Sequence, residues 1–101
     1  MFFMKPKAEC SRKDVQRAVS DPESVIIDCR TPGEVAGGTV SEAKVMDWLS
    51  GEFQSGVGAL DKSKTYYLYC RSGNRSAQAA SFLKSHGFEK VYNAGAYGDL
   101  I

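Results

Sequence analysis

The chain has 101 residues, 43% of them hydrophobic and 25% charged, and 13 lysines and arginines against 12 aspartates and glutamates leave a formal net charge of +1. The length suits a single core, the apolar fraction is too high for a disordered chain, and the balanced charge gives no general affinity for nucleic acid or an anionic membrane. Residues 1–101 therefore read as one domain, with residues 1–7 as a flexible N-terminal segment.

The longest apolar run, Tyr66 to Cys70, falls far short of the roughly 20 residues a spanning helix needs. Met1-Phe2-Phe3-Met4 stands before the first charge, Lys5, without the long apolar stretch or the cleavage site of a secretory signal. The expected compartment is the cytoplasm, or the periplasm for a mature or trimmed form. Three cysteines, Cys10, Cys29 and Cys70, are odd in number and lack CxxC spacing, which predicts free thiols and no metal site.

Ser11 caps a helix running to about Val19, with Val15, Ala18 and Val19 on one face and Asp21-Pro22 as the stop. Val25-Ile26-Ile27 is a β-branched apolar run of the kind buried on both faces of a parallel sheet. Thr31-Pro32-Gly33 reads as a loop. Gly37-Gly38 interrupts any helix begun at Glu34, and Val40, Ala43, Val45 and Met46 suit a short strand. Trp48, Leu49 and Phe53 predict a helix from about Asp47 to Gln54, followed by a loop at Gly56, Gly58 and Asp61. Tyr66 to Tyr69 is a strand. Arg75 to about His86 is a helix on the spacing of Ala79, Ala80, Phe82 and Leu83, with Gly87 as its cap. Lys90-Val91-Tyr92 is a third strand, and Gly95 opens a final turn. The alternation predicts an α/β domain with a mostly parallel central sheet covered by helices on both faces.

Chemistry concentrates in Cys70-Arg71-Ser72-Gly73-Asn74-Arg75-Ser76, between a predicted strand and a predicted helix. Small and polar residues let such a loop curl its amides toward one point, and the helix N-terminus adds partial positive charge. A cysteine sulfur at that point is favoured as thiolate. Cys70 is thus the candidate nucleophile, and Arg71 and Arg75 suit an anionic substrate. Between Lys62 and Phe88 there is no acidic residue, and Lys62, Lys64, Arg71, Arg75 and Lys84 give that segment +5. Cys29 reads as core packing and His86 as a surface cap.

The cysteine loop resembles that of the rhodanese-like sulfurtransferases. Asp28-Cys29-Arg30-Thr31-Pro32-Gly33-Glu34 is similar to the family's Asp-x-Arg-x-x-x-Glu segment, and Val91-Tyr92-Asn93-Ala94-Gly95-Ala96 to its last strand and glycine turn. The middle departs from it: Gly38-Thr39-Val40-Ser41-Glu42-Ala43 stands where the family usually has Gly-His-Ile-Pro-Gly-Ala. The resemblance, closest to the small single-domain phage-shock type, implies a rhodanese-like three-layer sandwich. It implies movement of sulfane sulfur from thiosulfate or a similar donor to cyanide or a thiol through a Cys70 persulfide, with no cofactor. Arg71, Ser72, Gly73, Asn74, Arg75 and Ser76 would bind substrate. Asp28 and Arg30 would be structural, with Asp28 fixing an active-loop arginine or the loop backbone. The expected partners are a small anionic donor and a thiophilic acceptor, with a sulfur-accepting protein as an alternative; the chain is expected to be a monomer.

Other functions fit the loop less well. Cysteine phosphatases and arsenate reductases place five residues between cysteine and arginine, whereas four separate Cys70 from Arg75. A persulfide carrier or sensor would need the same cradle as an enzyme. An inactive interaction module would not need Cys70.

Overall fold

The computed structural model describes residues 6–101. Most of the flexible segment expected at residues 1–7 lies outside the described residues. Helix α1 (Arg12–Ala18) begins in a capping box, the Ser11 hydroxyl accepting the Asp14 amide while the Asp14 carboxylate accepts the Ser11 amide. Strand β1 (Ser24–Asp28) follows, then a one-turn helix α2 (Pro32–Val35), strand β2 (Lys44–Val45), and α3 (Glu52–Gly56) running into a 3₁₀ turn at Val57–Ala59. Strand β3 (Thr65–Cys70), helix α4 (Asn74–Ser85), strand β4 (Val91–Ala96) and a 3₁₀ turn at Tyr97–Asp99 complete the chain.

The four strands form one sheet in the order β2-β1-β3-β4, and every pairing is parallel. Successive residues of a strand face opposite sides, so the sheet feeds two cores. Ile27, Leu68 and Cys70 pack with Phe53 of α3 and Ala79, Ala80 and Leu83 of α4. Ile26 and Tyr69 pack on the other side with Val15 and Ala18 of α1 and with Leu100. The result is the expected three-layer α/β sandwich.

This order places a topological switch between β1 and β3, since the chain winds outward from β1 to β2 and in the other direction from β3 to β4. Crevices beyond the carboxyl ends of strands at such a point are where open α/β sheets bind ligands. Asp28 ends β1 and Cys70 ends β3, so the two most informative sequence segments meet there.

Four sequence expectations need correction. Thr31 does not sit in a loop: its hydroxyl caps α2, in a second capping box closed by Glu34. The helix expected from Asp47 begins only at Glu52, because the Asp47 carboxylate accepts the Leu49 amide at 3.0 Å and Gly51 adopts φ +86°, a left-handed turn that interrupts the helical path. Gly56 accordingly falls inside α3 and Gly58 inside the 3₁₀ turn rather than in an open loop. Gly95 belongs to β4, where the register against β3 slips between Leu68 and Tyr69; the final turn starts at Tyr97.

Candidate active site

Cys70 is fully buried at the end of β3, and the chain turns through Arg71 and Ser72 to Gly73, the residue before α4. Gly73 has φ +96°, and a Cβ there would lie 3.3 Å from the Cα of Gly95, so both the turn and the close approach to β4 call for glycine. The turn aims donors at the sulfur. The Gly73 amide donates to Cys70 Sγ at 3.0 Å, and the Ser76 amide and hydroxyl lie 3.5 and 3.4 Å from it. The N-terminus of the twelve-residue α4 faces the same point.

Burial pushes the Cys70 thiol up, but the Ser76 hydroxyl and the amides of Ser76, Ser72 and Gly73 outweigh it, and the thiol ionises below its ordinary value of 9.0. Neither other cysteine is activated. Burial, with Asp14 and Glu9 nearby, raises Cys10 to about 11. Burial, then Cys70 and Asp28, raise Cys29 well above 9.0, and it is enclosed in the core as the sequence suggests.

A groove of about 370 Å³ opens beside the loop, lined by Arg30, Glu34, Arg71, Tyr97 and Gly98. One wall is Arg30, two residues beyond the end of β1. Arg30 grips Asp28 through Nε at 3.0 Å and a terminal nitrogen at 2.8 Å, donates to the Gly38 carbonyl at 2.6 Å, and stacks its guanidinium 4.1 Å from the Tyr97 ring centroid.

A rhodanese-like domain model matches residues 11–95. The chain belongs to the rhodanese-like domain family. A sulfurtransferase of Allochromatium vinosum is 30% identical over 86 residues, covering 84% of this chain and 78% of the relative. A tRNA uridine(34) hydroxylase of Rhizobium etli is 31% identical over 90 residues, which is 80% of this chain but only 28% of that larger protein. A solved rhodanese with anions from E. coli superposes with a TM-score of 0.66 at 29% identity, over 75% of this chain and 89% of that one. Rhodanese-type sulfurtransferases are thus among the relatives of this rhodanese-like domain.

Within the rhodanese-like domain the expected site residues divide. Ser72, Gly73 and Ser76 line the cysteine, while Asn74 is exposed on the first turn of α4. Arg75 does not turn to the sulfur: both terminal nitrogens bind Glu34, at 2.7 and 2.9 Å. Asp28 fixes neither an active-loop arginine nor the loop backbone; it holds Arg30, the Tyr69 phenol at 2.7 Å and the Thr39 hydroxyl at 3.0 Å. The basic excess is also dispersed. Lys62 lies by Gly87 and Phe88, and Lys84 approaches Glu9. At the site, Arg71 is exposed and has no ion-pair partner among the described residues.

Glu34, Tyr69 and Asn93 carry roles the sequence reading did not give them. Glu34 stands inside the quoted acidic-basic segment, so its charge was a usable signal. Asn93 was signalled by its type, since asparagine is depleted in strands. Arg75 lowers the Glu34 carboxyl to about 2 against the opposing effect of burial, with help from the Thr31 amide and hydroxyl. A carboxylate with a lowered pKa stabilises the fold fully above its ordinary 4.5, and that contribution is lost as pH falls through about 2. Glu34→Gln is expected to cost about 1–2 kcal/mol at pH 7 in urea unfolding, and the cost should shrink as the pH is lowered from 4.5 toward 2.

Proposed function

We propose that the protein is a sulfurtransferase that carries sulfane sulfur on Cys70, with thiosulfate or a similar small anion as donor and cyanide or a thiol as acceptor. The observation that supports this best is the cradle: the backbone amides of Gly73 and Ser76 directed at one ionisable sulfur, with the Ser76 hydroxyl beside it. In the first step the Cys70 thiolate attacks the outer sulfur of thiosulfate. A new S–S bond forms to Cys70, the original S–S bond breaks, and sulfite departs with its electron pair. In the second step the acceptor attacks the outer sulfur of the persulfide, and the bonding pair returns to Cys70 as thiolate. Arg71 would meet the incoming and departing anions, and the α4 N-terminus would hold the persulfide charge.

A phosphatase reading gains no support from the acidic group nearest the loop. Glu34 is ionised and occupied by Arg75, so it is not a proton donor for a leaving alkoxide. Incubation of the protein with thiosulfate is expected to add one sulfur atom to its intact mass, and cyanide should remove it as thiocyanate. Hydrolysis of p-nitrophenyl phosphate without sulfur uptake would overturn the proposal.

A further inference from the structure

Asn93 sits inside β4, 2% exposed, with its side chain turned toward the active loop. Its amide orientation is fixed by its neighbours. Oδ1 faces the Gly95 N–H at 3.0 Å, which only an oxygen can accept, and Nδ2 donates to the Gly73 carbonyl at 3.1 Å. The same Oδ1 lies 2.7 Å from Ser76 Oγ. Ser76 is fully buried and its hydroxyl has one proton to give, with two candidate acceptors: Asn93 Oδ1 at 2.7 Å and Cys70 Sγ at 3.4 Å. The oxygen pair has the geometry of a strong hydrogen bond, whereas a thiol sulfur is a weak acceptor even at 3.4 Å, an ordinary distance for sulfur. In the resting thiol the proton therefore belongs to Asn93.

We propose that Asn93 is a positioning residue for Cys70: it draws the single hydroxyl proton of Ser76 away from the sulfur and so keeps the Cys70 thiolate, once formed, a stronger nucleophile. Every hydrogen bond donated to a thiolate stabilises it and makes it less reactive, since intrinsic nucleophilicity falls with basicity. The amides of Gly73 and Ser76 are fixed by the backbone, but the Ser76 hydroxyl can rotate. Asn93 thus tunes the one adjustable donor in the cradle. This rests on the reading of Cys70 as nucleophile, but the test does not depend on the sulfur donor.

The test follows iodoacetamide alkylation of Cys70 against pH, read on the Cys70 peptide by mass. Asn93→Leu removes the competing acceptor at similar volume and releases the Ser76 proton to the sulfur. The alkylation midpoint is expected to fall by about half a pH unit or more, with a plateau rate lower than in the wild type. Ser76→Ala should move the midpoint the other way. In the Ser76→Ala background, Asn93→Leu should leave it unmoved, because the effect passes through that hydroxyl. Asn93→Ala serves in the same comparison if the leucine variant does not fold. An unshifted or raised midpoint overturns the proposal, as does an equal shift with and without Ser76; in either case Asn93 serves the fold alone. Loss of sulfur uptake from thiosulfate with the predicted midpoints intact would count against the sulfurtransferase reading and leave the role of Asn93 standing.

Discussion

Cys70→Ser is expected to take up no sulfur from thiosulfate and to lower cyanide-dependent thiocyanate formation on the order of a thousandfold or more. The substitution changes one atom and keeps the shape of the site. A serine hydroxyl offers no ionisable group near neutral pH, and the same cradle cannot make it one, because its shift acts from a starting point several units higher than that of a thiol. Stability should respond differently from activity. A group whose folded pKa lies below its unfolded 9.0 contributes stability that is complete above 9.0 and fades as pH falls through the lowered value. Cys70→Ser should therefore differ little from the wild type in urea at pH 6 and fall behind it at pH 9. Intact mass, thiocyanate colorimetry and the two unfolding curves check the three statements. Sulfur uptake by the serine variant would remove Cys70 from the chemistry.

The parts of this domain that the sequence made legible are those in which several signals coincide over one stretch. Tyr66 to Cys70 joins a β-forming run to a loop of small and basic residues and a helix with a regular apolar face, so strand, cradle and α4 could be placed before any geometry. Residues 31–59 resisted for a physical reason. Their elements, a four-residue helix, a two-residue strand and a five-residue helix, are too short for periodicity to express itself. Their stability comes from caps and turns such as Thr31 with Glu34 and Asp47 with Leu49. Leu49, counted into a buried helical face, is instead 67% exposed, because the Asp47 turn and Gly51 carry it outward. Arg75 failed in another way. A charge in a sequence has a sign and no partner, and the carboxylate that claims this one is 41 residues away. The buried hydroxyl of Tyr69 was invisible for the same reason, since its partners Asp28 and Thr39 lie on other segments.

Asp28→Ala is expected to be the most destabilising single substitution outside the two cores, by about 3–5 kcal/mol at pH 7. Asp28 is fully buried and its carboxylate accepts from the Arg30 backbone and guanidinium, the Tyr69 phenol and the Thr39 hydroxyl. Burial alone would favour the neutral acid; the bonds from Arg30, Tyr69 and Thr39 prevail, and the carboxyl ionises below its ordinary 3.8. Removing it leaves a guanidinium whose side chain is 6% exposed without its counter-charge, and takes one acceptor from the buried phenol of Tyr69. The loss is large beside the roughly 5–15 kcal/mol that holds a domain of this size together, and it should lower the melting temperature by about 15–30 °C. Asp28→Asn keeps the volume and one acceptor but turns an amide toward Arg30, so it should cost about 2 kcal/mol or more. The pH dependence separates this account from simple loss of packing. The ionised carboxylate stabilises above its unfolded 3.8, and the wild type forfeits that contribution as pH falls through the lower folded value. The gap between wild type and Asp28→Asn should therefore close in acid, whereas a packing defect would persist at every pH. Because Arg30 and Tyr97 wall the groove that Arg71 of the cysteine loop also lines, the same variant should lose affinity for an anionic donor at temperatures where it is still folded. Urea unfolding across pH 2–7 and saturation kinetics at low temperature test the two halves, and equal stability of Asp28→Asn and wild type at pH 7 would refute the first.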